Sequence, residues 1–358
     1  MSTRADSQQR TANVTIVFLV YNRREPLRES LRRMLQESDY DCECVDVIVV
    51  DNASDDGSAA MVEDEFPDVH VIRRAQNCGV SGWNDGFAVA RGDWVLALDD
   101  DCYLPPDGLR RALEAAEERK ADLVSFSVRS SFDDEYRFDA TYRTGLLSFW
   151  GCAVLARREV LQALGGYDPE IFVWANELEL MLRFFDRGYR HLHLPEVTAV
   201  HMKAPGNWPH GFDLPSYRIN AKHFAYIAAK LLRPRDAVQA LIALLANSTR
   251  DGVRLDRNAF KALRPALAGF VHGLRQRDPV ANPEVSRAFR NNFESYASPW
   301  WLTRPVGELV RSLPREVLRG DVNRARREAP PGRREQYFSE RARYYPKSAD
   351  TLEFTGPA

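Results

Sequence analysis

Long apolar runs are missing from this chain of 358 residues. The richest window, residues 224–245, is broken by Lys230, Arg233, Pro234, Arg235 and Asp236, far from the roughly 20 consecutive apolar residues of a membrane span. The first twelve residues are polar and lack the apolar stretch of a secretory signal, so they read as a disordered leader. Cysteine is scarce: Cys42, Cys44, Cys78, Cys102 and Cys152 are odd in number and scattered, which excludes a disulfide framework and suits a reducing cytoplasm. No second cysteine pair or histidine follows Cys42 and Cys44 at metal-ligand spacing. A dominant charge is also lacking, with 49 Lys and Arg against 51 Asp and Glu, so nucleic acid is not an expected partner. The G-x-G-x-x-G spacing of a dinucleotide fingerprint is absent as well.

What is present is a repeated device, an apolar strand that ends in polar groups. Residues 14–20, VTIVFLV, run into Tyr21-Asn22-Arg23, and residues 45–50 run into Asp51-Asn52-Ala53-Ser54-Asp55-Asp56. Residues 92–107, GDWVLALDDDCYLPPD, end a third such run in Asp99, Asp100 and Asp101. Between these runs lie helical patterns: Leu27, Leu31, Met34 and Leu35 make one stripe, and Ser54 or Asp55 is placed to cap the helix carrying Met61, Val62 and Phe66. Strands alternating with helices predict parallel βαβ units and ligands at the carboxyl ends of the strands. Three adjacent carboxylates repel one another unless a cation or solvent screens them, so the triplet is either a metal site or a solvated acidic turn. Asn77 to Gly86 form a glycine-rich loop that lets backbone approach a ligand. Further on, residues 146–155 read as a strand. Leu178, Met181, Leu182 and Phe185 then stripe a helix whose first turn holds Asn176 and Glu177, either a helix-start acid or a functional one.

In that order, TIVFLVYNR, VIVVDNASDDGS, NCGVSGWNDG, LALDDDCYLPPD, WGCAVLARREVLQALGGYDPEIF, NELELMLRFFDRGY and VTAVH resemble the family 2 nucleotide-sugar glycosyltransferases. The resemblance implies an α/β GT-A (Rossmann-like) fold over residues 13–225, with a mostly parallel central sheet flanked by helices. Residues 226–358 follow as a helical C-terminal region. It implies that Val20, Tyr21, Asn22, Arg23, Asp51, Asn77, Gly79, Asn84, Asp99 and Asp100 line the nucleotide, and that Asp101, Asp99 and His201 hold Mn²⁺ or Mg²⁺. Glu177 matches the family's catalytic acid residue. It would act as general base on the acceptor hydroxyl, a role that contributes about 10²–10⁴-fold. Trp150, Gly151, Trp174, Asn176 and Trp208 are the residues expected at the acceptor. Two departures stand out. Asn176 precedes the base where the family often has an acid, and the Q-x-x-R-W run of processive synthases is absent, which favours transfer of a single sugar.

The donor implied is a nucleoside-diphosphate sugar, UDP- or dTDP-linked in the first instance, and the acceptor a glycan, a lipid-linked sugar or a small molecule. Competing readings are a nucleotidyltransferase, which needs a basic glycine-rich loop after the first strand, and a non-catalytic nucleotide- or glycan-binding scaffold, which needs no base. Residues 300–347 carry twelve Arg and Lys against six Asp and Glu, either a solvated basic stretch or a contact with an anionic membrane. A cytoplasmic protein, peripheral at the inner face of the membrane, is the expectation.

Overall fold

The computed structural model describes residues 14–40, 45–131, 137–138, 149–202, 214–254, 257–287, 290 and 353–354. The leader, Cys42, Cys44, most of residues 129–145, Trp208 and the basic stretch 300–347 lie outside the described residues. The chain divides into two compact units. The first comprises residues 1–137, 150–172 and 190–204, and the second residues 138–149, 173–189 and 205–358.

The first unit is built on a mixed, mostly parallel sheet. Its strands are β1 (Val14–Val20), β2 (Val45–Asp51), β3 (His70–Arg73), β4 (Trp94–Asp99), β5 (Cys102–Tyr103), β6 (Leu123–Ser130), β7 (Ala153–Arg157) and β8 (His191–His201). Their order across the sheet is β8-β6-β7-β4-β1-β2-β3, with β5 paired to β8. β1 lies parallel to both β2 and β4, with Leu19 opposite Val50 on one side and Asp99 on the other. Such central strands are covered on both faces, which is why they read as unbroken apolar runs. Val17, Phe18, Val20, Leu96 and Leu98 are completely buried. β7 runs antiparallel to β4 and β6, and it begins at Ala153 where the pattern suggested residues 146–155.

Among the described residues, five helices accompany the sheet in this unit: α1 (Arg24–Gln36), α2 (Ser58–Glu65), α3 (Trp83–Val89), α4 (Gly108–Glu118) and α5 (Arg158–Leu164). Neither Ser54 nor Asp55 caps α2. The helix starts at Ser58 after Gly57 at φ +82°, and Asp56 Oδ1 accepts from both Ser58 N (3.0 Å) and Ser58 Oγ (2.5 Å). α5 ends at Gly165, whose φ of +74° closes the helix in the left-handed conformation that glycine adopts at least cost.

The second unit is helical: α6 (Asn176–Asp186), α7 (Leu214–Leu231), α8 (Pro234–Arg254), a 3₁₀ turn over Arg257–Ala262, and α9 (Leu263–Arg275). The expected boundary at residue 225 falls inside α7, and the segment carrying α6 belongs with the C-terminal helices. Three ties hold α6 there. Buried Glu179 pairs with Arg183 (2.5 Å) and Lys230 (3.8 Å). His223 Nδ1 lies 3.0 Å from Val173 O, and Asn282 N donates to Asp186 Oδ1 at 2.8 Å. Ala221, Ala225, Leu244, Ala262 and Ala266 form the core between α7, α8 and α9.

Candidate active site

The carboxyl end of β4 carries the acidic triplet, and each of its members meets a different environment. Asp99 is half-buried, Asp100 is 6% exposed and Asp101 fully buried. After the triplet, β5 pairs antiparallel with the end of β8, setting Cys102 opposite His201, while Met202 N donates to Asp101 O at 2.7 Å. This short pairing delivers His201 Nε2 to 2.9 Å from Asp101 Oδ1 and 4.0 Å from Asp99 Oδ2. One ligand atom from each of Asp99, Asp101 and His201 lies within 4.8 Å of the others. Two ligands of one Mg²⁺, each at about 2.1 Å, stand at most about 4.2 Å apart, so a small closure of this trio suits such an ion. The two carboxylates suit Mn²⁺ as well as Mg²⁺.

Arg23, the last residue of the loop after β1, reaches across to the same carboxylates. Its Nη2 donates to Asp101 Oδ2 at 2.5 Å and its Nε stands 3.5 Å from Asp100 Oδ1. Burial pushes the Asp100 carboxyl well above its ordinary range, with Arg23 pulling the other way. Burial opposes charge on His201, but Cys152, the hydrogen bond to Asp101, and the charges of Asp101 and Asp99 outweigh it and raise its pKa to about 9. A raised folded-state pKa contributes stability that is complete below the ordinary histidine value of about 6.5 and is lost as pH climbs through about 9. In the presence of a chelator, stability is therefore expected to fall by about 3 kcal/mol between these limits. Denaturant unfolding of the wild type and of His201→Gln at both pH values reads this, and an equal fall in both proteins would assign it elsewhere.

The neighbouring loops form a second cluster in the same unit. Asn22 N donates to Ser54 Oγ (3.0 Å) and Asp55 N to Asn22 Oδ1 (2.8 Å), joining the loops after β1 and β2. Asp51, 3% exposed, accepts from Ser54 N. Asn52 was not singled out in the sequence, yet it organises the glycine-rich loop. Its Nδ2 donates to Asn77 Oδ1 and Gly79 O, and its Oδ1 accepts from Cys78 N. A polar side chain directly behind the last strand residue was the available signal. Gly79, at φ +62°, passes so close to Phe172 that a Cβ would lie 1.8 Å from its carbonyl oxygen. Asn84, expected at the nucleotide, has both ends of its amide committed to the backbone N–H and C=O of Tyr167 at 2.8 Å each. It clamps the chain after α5 onto α3.

Of the other expected residues, Val20 is buried and Tyr21 is 47% exposed beside it. Trp150 is half-buried and Gly151 buried in this unit. Trp174, Asn176 and Glu177 belong to the second unit. There Glu177 is half-buried in the first turn of α6, Asn176 is buried and Trp174 is 40% exposed. Five described non-glycine residues have positive φ: Asn22 and Ala53 follow the first two strands, Trp174 and Ala175 precede α6, and Lys120 lies just beyond α4. Strained backbone of this kind, costing of order 1 kcal/mol or more per residue, clusters at functional sites.

Residues 15–171 match the family model described as Glycosyl transferase family 2. Among curated proteins, the undecaprenyl-phosphate 4-deoxy-4-formamido-L-arabinose transferase of Proteus mirabilis is 32% identical over 166 residues, covering 42% of this chain and 51% of that protein. The succinoglycan biosynthesis protein ExoO of Rhizobium meliloti is 34% identical over 128 residues, covering 33% and 36%. The chain thus spans about half or less of the length of these relatives. Among solved structures, the mannosyltransferase PcManGT of Pyrobaculum calidifontis, in complex with GDP-Man and Mn²⁺, superposes with a TM-score of 0.52 at 21% identity, covering 93% of this chain and 86% of that one. S. aureus TarS 1-349 in complex with UDP-GlcNAc gives 0.53 at 15%, covering 80% and 91%. At these identities the likeness establishes the fold, which is the GT-A architecture.

Proposed function

Because residues 15–171 match the model described as Glycosyl transferase family 2, we propose that the chain moves a single sugar from a nucleoside-diphosphate sugar to an acceptor hydroxyl with inversion at the anomeric carbon. The observation that carries this reading is the convergence of Asp99, Asp101 and His201 at the carboxyl end of β4. Those three residues would hold Mn²⁺ or Mg²⁺. Bound there, the ion supplies Lewis-acid stabilisation of the diphosphate leaving group. Tyr21, Asn22, Arg23, Asp51 and the loop from Asn77 to Gly79 are the residues proposed for the nucleotide, and the guanidinium of Arg23 matches a phosphate as well as it matches Asp101.

Glu177 is assigned as the general base. An acceptor hydroxyl is a weak nucleophile at neutral pH and needs its proton taken as the bond forms. Glu179 cannot share this task, since its carboxylate is buried and paired with Arg183 and Lys230. Trp150, Gly151, Trp174, Asn176 and Trp208 are proposed for the acceptor. The relatives that act on undecaprenyl phosphate make a lipid-linked acceptor the first class to try. Among the described residues no helix is long and apolar enough to cross a membrane, and a peripheral site of action at the cytoplasmic face is part of the proposal.

Thermal unfolding against a panel of nucleotide sugars tests the reading. A UDP- or dTDP-sugar at a hundred times its Kd, with Mn²⁺, is expected to stabilise the protein by about 2.7 kcal/mol, with a smaller shift when EDTA replaces the ion. A panel that includes GDP-mannose and leaves the melting temperature unmoved throughout would overturn it.

A further inference from the structure

α9 packs the wrong way round for a helix that has only water outside it. Its buried residues are small: Ala266, Gly269 and Gly273. A Cβ on Gly269 would lie 2.1 Å from the backbone oxygen of Lys222, and one on Gly273 2.3 Å from that of Tyr226, so glycine lets α9 press directly on α7. Three of the four large aliphatic side chains of α9 consequently face outward, Leu263 being half-buried. Leu267 is 48% exposed, Val271 50% and Leu274 46%. At about 100° per residue these three fall within an arc of roughly 60°, and exposed Arg264 and Arg275 lie along one edge of that arc. The same unit also exposes Phe260 in the preceding 3₁₀ turn, and Val238 and Ile242 one turn apart on α8.

Charge selects the occupant. Between Asp256 and Asp278 the chain has Arg257, Lys261, Arg264, Arg275 and Arg277 and not one Asp or Glu. Arg277 donates to the Ala229 and Leu232 carbonyls, so Arg264 and Arg275 are the cations at the edge of the stripe. An exposed aliphatic stripe edged by cations, with no carboxylate among them, is the pattern of a helix lying in the plane of a membrane interface, its apolar face among acyl chains and its cations at anionic headgroups. We propose that the outward face of α9 docks on an anionic phospholipid bilayer. This differs from the expectation that placed membrane contact in residues 300–347. It rests on the peripheral site of action proposed above and names the surface for it, but the vesicle assay reads no sugar transfer, so it fails separately from the assignment of the reaction.

Sedimentation of the full chain with phosphatidylcholine vesicles, with and without phosphatidylglycerol, tests the proposal. The wild type is expected to co-sediment with the anionic vesicles and far less with the neutral ones. Replacing both Arg264 and Arg275 by Gln should weaken binding about tenfold or more. Leu267→Asn with Leu274→Asn should weaken it by at least as much. Both variants alter exposed positions, so unchanged melting temperatures are expected, and if the leucine pair fails to fold the arginine pair carries the test. Absence of binding by the wild type, or equal binding by wild type and folded variants, would overturn the proposal. So would a solution dimer that Leu267→Asn dissociates, because a second copy would then be the occupant of this face.

Discussion

Glu177→Gln is expected to lower the rate of sugar transfer by about 10²–10⁴-fold, the contribution of a positioned general base, while donor affinity changes by less than about twofold. The substitution keeps the length of the side chain and its hydrogen-bonding oxygen but removes its capacity to take a proton. The first turn of α6 also limits rescue. Glu179, the neighbouring acid, is about 200° round the helix from Glu177, is fully buried and is held by Arg183 and Lys230. Turnover at saturating donor, set beside the donor-induced melting shift, separates chemistry from binding. A variant that transfers at the wild-type rate removes Glu177 from the role. A variant that loses both transfer and the donor-induced shift indicates a part in binding instead.

Asp101→Asn is expected to abolish metal-dependent transfer and weaken Mn²⁺ binding by at least about a hundredfold, as removing even the outer partners of ligands costs 10–100-fold. The side chain is buried between two cationic groups, Arg23 on one oxygen and His201 on the other. Neutralising it deprives the site of its central charge and leaves those two groups uncompensated, so a lowered melting temperature accompanies the loss. Mn²⁺ titration followed by electron paramagnetic resonance, below the melting temperature, reads metal binding without reference to turnover. Asp100→Asn makes the contrast, since Asp100 is outside the trio of candidate ligand atoms and its loss should leave Mn²⁺ affinity within a few fold. Equal weakening by the two substitutions would show that net charge, not coordination by Asp101, holds the ion.

The strand ends were legible because a buried parallel strand must be apolar throughout and its polar successors must lie at the rim. VTIVFLV and WVLALD announce themselves in this way, and so do Asp51 and the acidic triplet behind them. The direction of β7 was not legible, since a short apolar run such as Ala153 to Ala156 is the same whichever way it points. The allegiance of α6 was hidden for a different reason. It rests on Glu179 with Lys230, His223 with the Val173 carbonyl, and Asp186 with Asn282, three long-range ties whose members carry no local signature. Periodicity also gives residues 263–274 a helix without saying which side is covered. That is decided by Gly269 and Gly273, which turn the small face inward and leave the leucines outside. Asn84 also holds the backbone N–H and C=O of Tyr167, a tie across 83 residues that nothing in its local sequence announces.

The pairing of β5 with β8 also orders events in time. β1, β2 and β4 are in register with one another by residue 99, and the segment matched by the family model ends at residue 171. His201 enters only when β8 has been made and has met β5, a closure across about a hundred residues whose entropic cost is met late in folding. A nascent chain can thus display the acidic triplet and the loops after β1 and β2 long before their third metal-ligand candidate exists. Any competence of the proposed site to hold a cation would wait for residue 201, and a chain interrupted before it would carry the outline of the site without its histidine.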